Sequence, residues 1–130
     1  MIVVDASVIV EIVLRSETGD RMRTRLLHRS ETLHAPHVID LEVANALRRC
    51  LARGDVDDRG GEAALVTLGY VQIERHPHQP LLERIWRLRH NLTAYDAAYL
   101  ALAERLDVPL LTRDSGLASV AGHRARVELA

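Results

Sequence analysis

Hydrophobic and polar positions follow two rhythms along the chain. Ile2-Val3-Val4 is a short apolar run stopped by Asp5, as expected of a strand buried on both faces. A helical segment follows over about Ala6 to Leu14. A second covers Glu17 to Arg29, with Met22, Leu26 and Leu27 as its apolar points. Thr32 to Ala35 reads as a short strand closed by Pro36. In the next segment Ile39, Val43, Ala46, Leu47, Cys50 and Leu51 form one stripe at helical spacing, and Gly54 suits its end. A weaker helix spans about Asp57 to Leu68, loosened by Gly60-Gly61. Val71-Gln72-Ile73-Glu74 alternates like a strand. Pro77 and Pro80 bracket a loop, and Leu81 to His90 reads as helix. Tyr95 to Leu106 is apolar nearly all round, which predicts a buried helix. Val108 to Thr112 reads as a strand, Ser115 to Ala121 as a short helix and Ala125 to Leu129 as a last strand.

Strands alternating with helices predict an α/β fold with a mostly parallel sheet. At 130 residues, with no repeat and no linker, the expectation is one domain over residues 1–130. Apolar residues make up 48% of the chain, enough for one core. The longest apolar run, Ala97 to Ala103, is too short to cross a bilayer. There is no signal-peptide pattern, and the lone Cys50 has no partner for an internal disulfide; together these predict a cytoplasmic protein without membrane attachment. The net charge of −1 does not by itself announce a nucleic-acid binder. All 17 basic residues are Arg, a bias that a GC-rich coding sequence would also produce. Arg binds phosphate in bidentate fashion. The clusters Arg21/Arg23/Arg25/Arg29, Arg48/Arg49/Arg53 and Arg84/Arg87/Arg89 are either solvated helix faces or local phosphate contacts.

Four acids sit where chemistry is expected. Asp5 follows the first strand and Asp114 follows the strand ending at Thr112. In open parallel sheets, ligands bind beyond the carboxyl ends of strands. Each of these acids equally suits capping of the helix that follows it. At about 100° per residue, Glu42 lies about 40° outside the apolar stripe of its helix, at the rim of the core or simply at a boundary. Asp40 falls inside the stripe but in the first turn, where an acid meets the helix dipole favourably. Thr93 with Asp96 fits a capping box, and Asp96 also heads the buried helix. Two unit charges about 5 Å apart repel by about 3 kcal/mol at an effective dielectric near 20. Carboxylates gathered at one sheet end therefore call for a divalent cation. Oxygen ligands without Cys or His suit Mg²⁺ or Mn²⁺, ions that serve phosphodiester hydrolysis.

Four stretches carry a family resemblance. Val3-Val4-Asp5-Ala6-Ser7 resembles the opening motif of PIN-domain proteins. Pro36 with Leu41-Glu42-Val43-Ala44-Asn45-Ala46-Leu47 resembles their second motif. Leu92 to Ala103, containing Thr93-Ala94-Tyr95-Asp96, is similar to the third and is the most specific. Leu110-Leu111-Thr112-Arg113-Asp114 resembles the fourth. Within the family, size and third motif resemble VapC toxins of type II toxin–antitoxin modules. The resemblance implies a three-layer α/β/α sandwich with a mostly parallel central sheet. It implies an Mg²⁺-dependent endoribonuclease toxin, with Mn²⁺ as a substitute, acting on RNA. A cognate antitoxin and a homodimer are also implied. By the same resemblance, Asp5 and Asp96 would hold the metal, Glu42 and Asp114 would complete the catalytic acids, and the hydroxyls of Ser7 and Thr112 would support them. Asp40, the extra acid beside Glu42, has no place in the pattern.

Other patterns weigh less. His76-Pro77-His78 reads as a surface loop rather than a transition-metal site. Trp86 and Leu82, with Ile85 and Leu88, read as core rather than as a partner patch. Aromatics are only 3%, a poor basis for base stacking, so RNA contact would rest on Arg and phosphate. A phosphate-binding loop needs a Lys, and the chain has none. A receiver-type phosphoacceptor needs an acidic pair and a Lys; only Asp5 is present. A PIN-like module that binds RNA or protein without cutting is the remaining alternative, and the full set of four acids argues against it.

Overall fold

A computed structural model describes residues 1–130. Five strands, β1 (Ile2–Val4), β2 (Leu33–Pro36), β3 (Ile73–His76), β4 (Leu110–Thr112) and β5 (Val127–Leu129), alternate with helices. The helices are α1 (Ala6–Val13), α2 (Glu17–His28), α3 (Ile39–Ala52), α4 (Asp58–Tyr70), α5 (Leu82–Arg87), α6 (Ala94–Leu106) and α7 (Ser115–Ser119), with one 3-10 turn at Gln79–Leu81. The strands form one sheet in the order β3-β2-β1-β4-β5, and every neighbouring pair is parallel. This is the α/β/α sandwich expected.

The topology places the site. The chain moves outward from β1 to β2 to β3, then returns across β1 to β4 and on to β5. The direction reverses between β1 and β4, so a crevice opens beyond their carboxyl ends. Right-handed crossovers put α1–α4 on one face and α5–α6 on the other. Accordingly, α1 packs on α2, α3 and α4, while α6 packs on α5 and lies across β1, β2 and β4. Ile2, Val3 and Val4 are fully buried, as a central strand covered on both faces must be. Ala97 through Ala103 are all buried, which explains why α6 is apolar around its whole circumference. Where α2 meets α1, a Cβ on Gly19 would sit 2.0 Å from the carbonyl oxygen of Glu11, so only glycine permits that approach.

Several boundaries differ from the sequence expectation. The strand expected at Val71 to Glu74 starts two residues later. Val71 ends α4 instead, its N–H bonding the carbonyls of Thr67 and Leu68, and the β2 register then pairs Leu33 with Ile73 and Pro36 with His76. His76 is thus the last residue of β3 rather than part of a loop. Gly60-Gly61 do not break α4, because Asp57 caps it by accepting from the Gly60 N–H. The helix expected over Leu81 to His90 is shorter. Its apolar residues divide: Ile85 and Leu88 are buried, whereas Leu82 and Trp86 are exposed. The expectation of core packing therefore fails for Trp86, whose ring carries the Arg89 guanidinium 4.7 Å from its centre. No helix is long and apolar enough to cross a membrane.

Candidate active site: four carboxylates at the switch point of the sheet

Asp5 leaves β1 and caps α1, its Oδ1 accepting from the Val8 N–H at 3.3 Å. The same oxygen accepts from the Ser7 hydroxyl at 2.5 Å, and Oδ2 accepts from the Thr112 hydroxyl at 2.5 Å. Thr112 is the last residue of β4, the strand hydrogen-bonded to β1, so the link spans the switch point. The two hydroxyls are oriented in turn. Ser7 Oγ accepts from the Arg113 N–H at 2.9 Å, and Thr112 Oγ1 accepts from the Asp114 N–H at 3.0 Å. Asp114 caps α7, its Oδ1 accepting from the N–H groups of Gly116 and Leu117. Asp96 lies in the first turn of α6, its N–H donating to the Thr93 hydroxyl at 3.2 Å. Capping and clustering therefore coexist. The caps fix where the Asp5 and Asp114 carboxylates point.

Glu42 comes from α3, whose buried face is Ile39, Val43, Leu47 and Cys50. That face is narrower than the apolar stripe, and Leu51 lies outside it. Glu42 and Asp96 line one side of a cleft of about 530 Å³ together with Val38, Leu41, Asn45, Arg49, Thr93 and Tyr95. The four acids act on one another. Burial first, then the charges of Asp96 and Asp5, push Glu42 from its ordinary 4.5 up to about 7. Burial, then the charges of Asp114 and Asp5, raise Asp96. Asp5 is raised chiefly by burial, against the lowering effect of its hydrogen bonds from Ser7 and Thr112. None of the four forms an ion pair with an arginine.

Tyr99, one turn beyond Asp96 on α6, is a participant that the motif reading passed over. Its hydroxyl is buried beside Glu42, and burial and the neighbouring acids raise it. It exerts a small lowering effect on Glu42 but closes no well-formed hydrogen bond with it. Both the Tyr99 hydroxyl and Glu42 Oε1 are buried without a partner. The i, i+3 spacing from Asp96 is the signal that points to it. Asp40 is placed as well: the Arg75 guanidinium of β3 grips it through two hydrogen bonds of 2.7 Å, away from the four acids.

A buried carboxylate oxygen without a donor, among carboxylates that form no ion pair, is a costly arrangement in a folded chain. An all-oxygen donor set of this kind fits a hard divalent cation.

Comparison with known proteins agrees with this architecture. The PIN-domain family profile matches residues 2–123. The chain belongs to the PIN-domain family, in its VapC group. Ribonuclease VapC1 of Mycobacterium tuberculosis is 43% identical over 128 residues, spanning 98% of this chain and 96% of the relative. Ribonuclease VapC12 of the same organism is 42% identical over 129 residues, 99% and 98% of the two chains. Among solved structures, PAE2754 of Pyrobaculum aerophilum superposes with a TM-score of 0.72 at 25% identity, covering 97% of this PIN chain and 87% of that one. The sarcin–ricin loop cleaving toxin VapC20 of M. tuberculosis shares the fold, with a TM-score of 0.65 at 16% identity over 93% and 97% of the chains.

Proposed function

We propose that this VapC-group chain is an endoribonuclease toxin, dependent on Mg²⁺ with Mn²⁺ as a substitute, that hydrolyses phosphodiester bonds of RNA. The observation that carries the proposal is the set Asp5, Glu42, Asp96 and Asp114, none in an ion pair with an arginine: burial and neighbouring acids raise Glu42 and Asp96, burial raises Asp5, and one Glu42 oxygen is buried without a partner. The ribonuclease names of relatives above 40% identity support the same reaction class.

Asp5 and Asp96 are the residues that would hold the cation. When bound, it supplies charge neutralisation at the scissile phosphate and an acidified water. The chain's own groups do the rest. Ser7 and Thr112 hold the Asp5 carboxylate from both oxygens, so its orientation is set before any ligand arrives. Glu42, titrating near 7, accepts and releases a proton at its buried carboxyl at neutral pH. Asp114 commits Oδ1 to the α7 amides and leaves Oδ2 free of protein partners. Arg49 lines the cleft on the Glu42 side, within reach of a phosphate backbone. Arg21, Arg25, Arg29, Arg84 and Arg87 are engaged in ion pairs within the chain, so the rim contributes fewer free cations than its Arg count suggests.

The same proposal includes a cognate antitoxin that blocks the site, a cytoplasmic location and a homodimer. Exposed Leu41 and Tyr95 at the cleft supply apolar surface for protein contact. Light scattering measures the dimer, and co-expression with a neighbouring reading frame measures protection. The decisive experiment is induced expression in a bacterial host, wild type beside Asp5→Asn, with growth and end-mapped total RNA. Growth arrest with discrete new RNA ends, lost in the variant, is the expected result. RNA binding with no cleavage in Mn²⁺ by soluble protein would instead identify a non-catalytic module.

A further inference from the structure

Away from the four acids, β2 and the edge strand β3 bring three ligating side chains together. The register pairs His34 with Glu74 and Pro36 with His76. Glu74 and His76 are two residues apart on one strand and so share a face with His34. His34 Nδ1 lies 2.9 Å from His76 Nε2 and 3.6 Å from Glu74 Oε2, and His76 Nε2 lies 4.0 Å from Glu74 Oε1. One ligand atom from each of the three residues falls within 4.8 Å of the others. None of the three belongs to the acid cluster.

From this geometry we infer a second metal site, for a transition-metal dication of the Zn²⁺ class, formed by His34 Nδ1, His76 Nε2 and Glu74. Two imidazoles and one carboxylate are borderline ligands that select Zn²⁺, Ni²⁺ or Cu²⁺ over Mg²⁺. The outer contact is already built. Thr32 Oγ1 lies 3.0 Å from His34 Nε2; accepting from that N–H, it leaves the Nδ1 lone pair facing His76 and Glu74. The two ring nitrogens lie at hydrogen-bond distance, 2.9 Å apart. A metal between them, with bonds of about 2.0–2.1 Å, needs the nitrogens about 3.3 Å apart, a separation that a small rotation of His76 at the strand end provides. The fold supplies one rigid ligand and two adjustable ones: the His34 side chain is only 3% exposed, against 21% for His76 and 68% for Glu74. The exposed Glu74 side leaves the fourth position open to solvent. Bound metal would fasten edge strand β3 to β2 through side chains that belong to none of the four acids.

The test uses chelator-stripped protein carrying Asp5→Asn and Asp96→Asn, which disable the acid cluster. Zn²⁺ is titrated against a chromophoric chelator, and Co²⁺ is followed by its visible absorption. The expected result is one Zn²⁺ per chain in this background and ligand-field bands of a nitrogen and oxygen site with Co²⁺. Binding weakens at least about 10-fold with Glu74→Gln and is lost with His76→Gln, which retains hydrogen-bonding capacity but no imidazole. Circular dichroism and a melting curve on the His76→Gln protein verify its fold, and Zn²⁺ raises the melting temperature only where His76 is intact. No Zn²⁺ binding in the double-Asn background, or binding unchanged by His76→Gln in folded protein, overturns the site.

Discussion

Around the carboxyl ends of β1 and β4, four acids lie within reach of one another's charge and none is in an ion pair with an arginine; elsewhere on the same chain, acids meet guanidinium groups. Glu104 is gripped by Arg84 at 2.7 and 2.9 Å, Asp40 by Arg75, and Glu128 by Arg25 and Arg29. The titration behaviour divides the same way. Hydrogen bonds from Arg84 lower Glu104, and those from Arg29 lower Glu128, whereas burial and like charges raise Glu42 and Asp96. Identical side chains thus move in opposite directions according to their neighbours. The paired acids are structural. The unpaired ones hold a repulsion that the fold tolerates and a cation would relieve.

The sharpest way to break this contrast is Asp5→Asn. RNA cleavage is expected to fall more than the ~10–100-fold typical for loss of a residue that merely orients a metal ligand. Metal-free protein should melt no lower than wild type, because a buried, repelled charge is gone. Unchanged cleavage would remove Asp5 from the site. Thr112→Val acts one step outward. It should weaken Mn²⁺ binding, measured by calorimetry, by about 10–100-fold while the fold persists.

On the paired side, Arg84→Ala leaves the nearly buried Glu104 without its partner. Denaturant unfolding should show a loss of about 1–3 kcal/mol with cleavage retained. A loss of cleavage without a loss of stability would reverse the assignment of the two regions. Glu42 gives a pH test. Its folded pKa, about 7, lies above its ordinary 4.5, so the folded state binds the proton more tightly. Its contribution is present in full below 4.5 and disappears as pH rises through about 7. In chelator, the stability difference between wild type and Glu42→Gln should therefore shift against wild type across that window, and Mn²⁺ should reverse the shift at the alkaline end. A difference that stays flat with pH would mean Glu42 titrates normally. The smallest effect belongs to Arg75→Ala, a half-exposed pair, at less than about 1 kcal/mol and with no change in cleavage.

Much of the fold was legible because its causes are local. The unbroken apolar run of α6 anticipated its burial beneath three strands, and the stripe of α3 placed Glu42 at the rim of the core. Failures arose where a distant partner decided. Val71 continues an alternating pattern, yet it ends α4, and the strand begins where β2 supplies hydrogen bonds. Trp86 fits an apolar cluster, yet only Ile85 and Leu88 of that segment meet the core. Asp40 had no place in the motifs because Arg75 is 35 residues away, and the His34–His76 contact spans 42. The histidine pair around Pro77 therefore read as a loop.

By itself, the sequence determined the periodic elements, the cap at Thr93, and acids just beyond strand ends. These depend on residues within a turn or two of one another. Tertiary structure decided which acids meet, which receive an arginine and which lose their water. It placed β4 beside β1, so that Thr112 reaches Asp5, and it buried one Glu42 oxygen without a donor. Charge interactions and desolvation depend on distance and burial through space, and only the assembled sheet sets those.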